Sequence, residues 1–248
     1  MKHPFVLAIT GASGVLYTIR LLEGLLQHGA DVHLIISPSG RVVLQQELGV
    51  LVNLDRFRLR DLTQPVPSVS AGDATEMQRT IGDMLRGLDE ALTSSGSGHG
   101  RVVYHHHSDF MSPVASGSFL TGGMIVCPCS GGTLSAVVHG SSDNLIQRAA
   151  DVHLKERRKL ILVPRETPLS SIQLDNMKRA CDAGAVVLPA MPGWYHGVRT
   201  IRDLIDFIVA RILDQVGIEH ALMRRWGEGE LDDAGVDQKA TARNEVMV

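Results

Sequence analysis

Short, nearly continuous apolar runs alternate along this chain with longer stretches in which apolar residues recur at helical spacing. Residues 4–10 form the first run, Val32-His33-Leu34-Ile35-Ile36 the second and Met124-Ile125-Val126-Cys127 the third. Leu160-Ile161-Leu162-Val163, stopped by Pro164, and Ala185-Val186-Val187-Leu188, stopped by Pro189, are the fourth and fifth. Residues 13–28 place Leu16, Ile19, Leu22, Leu25 and Leu26 on one helical face and end at Gly29. Further helices are predicted over residues 40–48, 143–158, 170–183 and 200–216. Strands this apolar are buried on both sides. The alternation therefore predicts an α/β fold, a parallel sheet covered by helices on both faces and joined by right-handed crossovers.

Two regions break the pattern. Residues 64–100 hold Pro65, Pro67 and several serines and glycines, with a helix expected at 74–93 and then a Ser94–Gly100 run that reads as a flexible loop or exposed insertion. The stretch after Gly227 lacks apolar periodicity and is expected to be a mobile or partner-binding arm. The organisation is read as one α/β domain over residues 1–227 with an insertion at 64–104, followed by a tail at 228–248.

Two segments share one design, an apolar strand entering a turn of glycines and hydroxyls that opens a helix. The first turn is Gly11-Ala12-Ser13-Gly14 and the second is Ser130-Gly131-Gly132-Thr133. Such a helix start offers backbone N–H groups and the positive end of its dipole to an anion, and small side chains let that anion approach. A matched pair predicts a phosphate-bearing ligand at the carboxyl edge of the sheet. A dinucleotide fits poorly. Ser13 stands where the fingerprint has glycine, and the second strand ends in Ser37 rather than in an acidic residue. The pattern points instead to a phosphate or a mononucleotide such as FMN; the plainer alternative is a helix capped by Ser13 with no ligand.

The composition narrows the classes. A net charge of -3 and a pI near 6.4 give no support to nucleic acid as the main partner. No apolar run reaches the roughly 18 residues of a membrane span. No secretory leader pattern follows Met1, so the cytoplasm is the expected location. Cys127, Cys129 and Cys181 make no disulfide framework and are read as core packing. Aromatic residues are only 4% of the chain, which makes each Tyr and Trp informative.

Other constellations carry chemistry. Arg165 and Glu166 follow the fourth strand; in a cleft the arginine would hold a polar ring edge or an anion and the carboxylate would exchange a proton, and on the surface they would be an ordinary ion pair. Arg148 and Lys155, seven apart on a helix, flank one face and suit a second anion, whereas Arg157 and Arg158 read as a solvated face. The run His105-His106-His107 alternates direction on a strand and does not converge on a metal.

Taken together, several stretches resemble the UbiX-type flavin prenyltransferases: Ile9–Gly14, Ser37-Pro38-Ser39-Gly40, Ala115–Phe119, Cys127-Pro128-Cys129-Ser130 with Thr133, Asn144–Arg158, Leu162–Pro168, Ala190–His196, Ala210–Leu213 and Arg225-Trp226-Gly227. The resemblance spans residues 4–227 apart from the central insertion and implies a Rossmann-like (flavodoxin-like) three-layer sandwich. It further implies a metal-independent enzyme that joins the dimethylallyl group of dimethylallyl phosphate to N5 and C6 of reduced FMN. The product, prenylated FMN, would serve a UbiD-type decarboxylase. By the same resemblance Gly11, Ala12, Ser13, Ser37, Ser130, Thr133 and Arg165 contact FMN. Ser116, Arg148, Lys155, Tyr195, Arg211 and Trp226 hold the dimethylallyl phosphate, and Glu166, with Ser13 as helper, moves the proton. A homo-oligomer is implied, a dodecamer of trimers whose sites lie where subunits meet. Two alternatives are a non-catalytic FMN carrier, which would not need Glu166 or the basic set, and a flavin-dependent cysteine decarboxylase, whose early histidine and Pro-x-Met-Asn-x-x-Met motif are not present.

Overall fold

A computed structural model describes residues 3–65, 75–94, 98–223 and 225. The strands are β1 (Phe5–Ile9), β2 (Val32–Ile36), β3 (Val102–His106), β4 (Gly123–Cys129), β5 (Leu160–Pro164) and β6 (Val186–Val187). The helices are α1 (Val15–Gln27), α2 (Pro38–Leu48), α3 (Glu76–Thr93), α4 (Gly131–Val138), α5 (Leu145–Lys155), α6 (Ser171–Asp182) and α7 (Ile201–Val216). All strands pair in parallel in the order β3-β2-β1-β4-β5-β6.

The alternation of side chains on β1 divides the core. Phe5, Leu7 and Ile9 pack with residues of α1, α2, α3 and α7, whereas Val6 and Ala8 pack with α4, α5 and α6. The chain leaves β1 toward one face and β4 toward the other. The two strands are neighbours, so their carboxyl ends diverge into a crevice at the topological switch point.

Thr10, 1% exposed, ties the walls of this crevice together. Its hydroxyl donates to the Pro128 carbonyl at 2.7 Å and accepts from Ser130 N at 2.8 Å. On the other side Gly40 lies against the end of β1, where an added β-carbon would sit 2.6 Å from the Ile9 carbonyl oxygen. This close approach brings the start of α2, and with it Ser37, beside the first turn.

The main correction concerns residues 64–104. Within this stretch α3 buries Met84, Leu85, Leu88 and Ala91 in the core, and β3 completes the edge of the sheet beside β2. These parts are the crossover from β2 to β3 and a sixth strand, not decoration. The strand was missed because an edge strand is only partly buried and Val102–His106 mixes valines with Tyr104 and two histidines. Residues 66–74 and 95–97, and the tail from 226 onward, lie outside the described residues. Cys127 and Cys129 are buried, and burial pushes both thiols up to about 12. Cys181 is exposed on α6, contrary to a core role.

Candidate active site

The carboxyl ends of β1, β2, β4 and β5 bring Gly11, Ala12, Ser13, Ser37, Ser130, Thr133, Arg165 and Glu166 to one edge of the sheet. Ala12 is buried, whereas Gly11 and Ser13 are exposed. Ser37 is the N-cap of α2, its Oγ accepting from Gly40 N at 2.9 Å. Ser130 caps α4 in the same way, accepting from Thr133 N at 3.2 Å, and its Oγ lies 3.0 Å from the Thr133 hydroxyl. The two hydroxyls of the second turn are thus hydrogen-bonded partners.

The first turn differs from its expectation. Gly14, not Ser13, is the N-cap of α1; its φ of 112° is a left-handed conformation that a side chain would strain, and no hydroxyl caps this helix. The N–H groups expected to await a ligand are engaged by the carboxylate of Glu47, which accepts from Gly14 N at 3.0 Å and from Val15 N at 3.0 Å. Glu47 comes from the last turn of α2, far from the turn in sequence, and no local pattern announces it. Tyr17 packs its ring over Gly14 and lies in the electrostatic reach of Glu47, Cys127 and Arg165. Burial, then Cys127 and Glu47, push its phenol above the ordinary range, with Arg165 pulling the other way. The scarcity of aromatics was the only sequence signal for Tyr17.

Arg165 and Glu166 are half-buried at the mouth of β5 and form no ion pair with each other among the described residues. Arg165 Nε is buried and has no hydrogen-bond partner. A buried guanidinium N–H without a partner is costly in a finished site and fits a site completed by a ligand acceptor.

A second cluster sits on the α5 side. Arg148 Nε donates to the Ala115 carbonyl at 3.1 Å, and its NH1 pairs with Asp151 at 2.8 Å. Lys155 Nζ pairs with Glu156 at 2.5 Å and would lie 3.0 Å from a β-carbon at Gly117. Arg158, expected on a solvated face, instead donates to the Phe119 carbonyl at 2.6 Å and to the Gly117 carbonyl. Ser116 lies within this clamped turn, its Oγ 2.9 Å from Ser118 Oγ. The structure therefore assembles Ser116, Arg148 and Lys155.

Tyr195 and Arg211 stand apart from that cluster. Tyr195 is 61% exposed and meets Phe207 and His196 edge-on. Arg211 lies on α7, in the layer opposite α5, and pairs with Asp214 at 2.8 Å. The carboxyl of Asp214 is held below its usual range against the cost of burial by Arg225 and His220. Trp226 lies outside the described residues.

Comparison with known proteins decides the family. A family model described as Flavoprotein matches residues 1–213. A flavin prenyltransferase UbiX of Pseudomonas aeruginosa is 43% identical over 226 residues, covering 91% of this chain and 94% of the relative. One of Halalkalibacterium halodurans is 42% identical over 227 residues, covering 92% and 95%. This chain belongs to the UbiX flavin prenyltransferase family. Solved members share the fold: AnUbiX in complex with FMN and dimethylallyl pyrophosphate has a TM-score of 0.70 at 34% identity, covering 91% of this chain and 98% of that one. A dodecameric FMN-dependent UbiX-like decarboxylase of Escherichia coli O157:H7 has a TM-score of 0.67 at 34% identity, covering 91% and 99%. No helix among the described residues is long and apolar enough to cross a membrane.

Proposed function

We propose that this UbiX family member binds reduced FMN in the β1/β4 crevice and transfers the dimethylallyl group of dimethylallyl phosphate to it, giving prenylated FMN for a UbiD-type decarboxylase in the cytoplasm. The observation that carries the reading is Arg165 Nε, a buried donor without a partner at the mouth of β5, beside Glu166 and the second hydroxyl turn. Gly11, Ala12, Ser13, Ser37, Ser130, Thr133 and Arg165 are the residues that hold FMN, whose reduced ring supplies the nucleophilic N5 and C6 atoms.

Ser116, Arg148 and Lys155 hold the phosphate of the second substrate. As the allylic C–O bond breaks, the phosphate leaves with the bonding electron pair, and the cationic side chains and hydroxyl stabilise its growing charge. The allylic fragment left behind is cation-like, and an aromatic face such as that of Trp226 is suited to it. N5 bonds to the allylic carbon as the phosphate leaves. For C6 to bond to the remaining double bond, the other alkene carbon must gain a proton and C6 must lose one. Glu166, with the Ser13 hydroxyl as helper, delivers and takes back that proton. Tyr195 and Arg211 belong to the layer opposite Arg148 and Lys155. An assembled homo-oligomer, a dodecamer in this proposal, supplies both sets to one flavin.

Anaerobic incubation of the protein with reduced FMN and dimethylallyl phosphate, followed by mass analysis of the released flavin, tests the reading. A gain of one prenyl unit supports it. Bound but unmodified FMN would instead favour a carrier.

A further inference from the structure

Three side chains that the reaction does not use directly form a hydrogen-bonded line at the edge of the sheet. His33 on β2 and His105 on β3 are diagonal neighbours on one face, His105 lying opposite Ile35. His33 Nδ1 is 2.7 Å from His105 Nε2, and His105 Nδ1 is 2.9 Å from Ser112 Oγ. The two rings are parallel within 3° yet their centroids are 5.0 Å apart. With the nitrogens so much closer than the centroids, the rings meet edge to edge, as a linear N–H···N bond requires, rather than face to face. His105 and Ser112 are buried.

The line ends on the turn that carries Ser116. The Ser112 carbonyl accepts from Ala115 N at 3.0 Å, which opens a short helical turn over Pro113–Ala115. Phe119, at the far end, meets the His33 ring edge-on with centroids 5.0 Å apart. Seen from the sheet, the segment is thus anchored at both ends by the histidine pair. Seen from α5, it is anchored by Arg148 on Ala115 and by Arg158 on Gly117 and Phe119. The line adds a side-chain tie from the sheet to the start of a segment that buried Val114 also holds in the core.

We propose that His33, His105 and Ser112 are positioning residues that set the Ser112–Phe119 segment so that Ser116 meets the phosphate of the allylic substrate. The inference rests on the assignment of Ser116 to that phosphate, made above. Neutral rings suit the arrangement, because two N–H groups cannot face each other across the His33–His105 contact. Asp31 beside His33 and Asp109 beside His105 are the charged groups that act on the pair.

Ser112→Ala cuts the line at the segment, and His105→Phe keeps a flat ring while removing both hydrogen bonds. Each is expected to raise KM for dimethylallyl phosphate about tenfold, with kcat and FMN affinity within about twofold of the parent. The double variant should be no worse than either single one, because the same link is already broken. Ser112→Thr, which keeps the hydroxyl, should restore KM. Amide hydrogen exchange at residues 115–119 should rise about tenfold in Ser112→Ala, and this readout does not depend on what Ser116 binds. Unchanged exchange overturns the positioning role. Faster exchange with unchanged KM overturns the assignment of Ser116 instead. Equal losses in kcat and FMN affinity would mean general damage and would also overturn the proposal.

Discussion

The helix after β1 starts at a glycine with φ 112°, and its first N–H groups are met by Glu47, a carboxylate brought from α2. The helix after β4 starts at Ser130, whose own hydroxyl meets Thr133 N. The flank of α1 is likewise served from afar. Buried Arg20 bonds Asp206 of α7 at 2.6 Å and Glu23 at 2.9 Å. One half of the crevice is therefore built on long-range charge and the other on short-range caps. The difference teaches that a glycine-rich strand–turn–helix supplies an anion site only where the protein has not already supplied the anion. The unpartnered buried donor of the crevice, Arg165 Nε, stands on the β5 side.

The largest break in this contrast is Asp206→Ala, which leaves Arg20 buried without its main acceptor; a loss of about 3–5 kcal/mol is expected by urea unfolding. A value near zero would mean that the α1 half does not depend on that pair. Next, Glu166→Gln on the β5 side should keep FMN binding and lower the rate of flavin prenylation about 100-fold. Full activity in that variant would remove Glu166 from the proton transfer.

Glu47→Ala and Ser130→Ala compare the two helix starts directly. The first should cost about 1–2 kcal/mol and the second about 1 kcal/mol. Added inorganic phosphate should restore thermal stability in Glu47→Ala more than in the parent, because Gly14 and Val15 N–H become available to it. Equal response of both proteins would show that Glu47 does not occupy an anion site.

The shallowest effect is that of pH, and it separates the two faces. His33, His105 and His153 lie on the α4–α5 side, and burial is the first cause that lowers the pKa of each below 6.5. The unfolded chain then binds protons that the folded chain refuses, so stability is full above about pH 6.5 and falls as the pH drops below it. His153 shows why. Its Nδ1 donates to the Ala149 carbonyl at 2.7 Å, so Nε2 must accept from the Thr121 hydroxyl at 2.8 Å. Melting temperatures from pH 8 to pH 5 should decline in the parent and flatten in His153→Gln; a flat parent profile contradicts this.

Much of this architecture was legible because buried parallel strands and amphipathic helices announce themselves by period. The runs at Val32–Ile36 and Leu160–Pro164 and the helix Ile201–Val216 stand close to their expected bounds. β3 was not legible, since an edge strand carries polar side chains for reasons of local chemistry, here the His105 bonds. Among site residues, Ser37 and Ser130 were legible as hydroxyls at helix starts, but the cap expected from sequence was Ser13, whereas Ser37 and Ser130 are the residues that cap. Glu47 and Tyr17 were not legible, because their roles depend on how α2 and α1 meet across the sheet edge. Arg148 and Lys155 were readable from helical spacing. Spacing alone did not bring them to the Ala115–Gly117 turn; only the resemblance grouped Ser116 with them, and the contacts themselves exist in three dimensions.

The central claim is that flavin and allylic phosphate share the crevice between β1 and β4. A crystal structure of the protein soaked with FMN and dimethylallyl phosphate tests it most directly. The account predicts the flavin against the two turns with Arg165 Nε donating to it, and the phosphate beside Ser116, Arg148 and Lys155. A flavin bound elsewhere, or Arg165 Nε still without an acceptor, would contradict it.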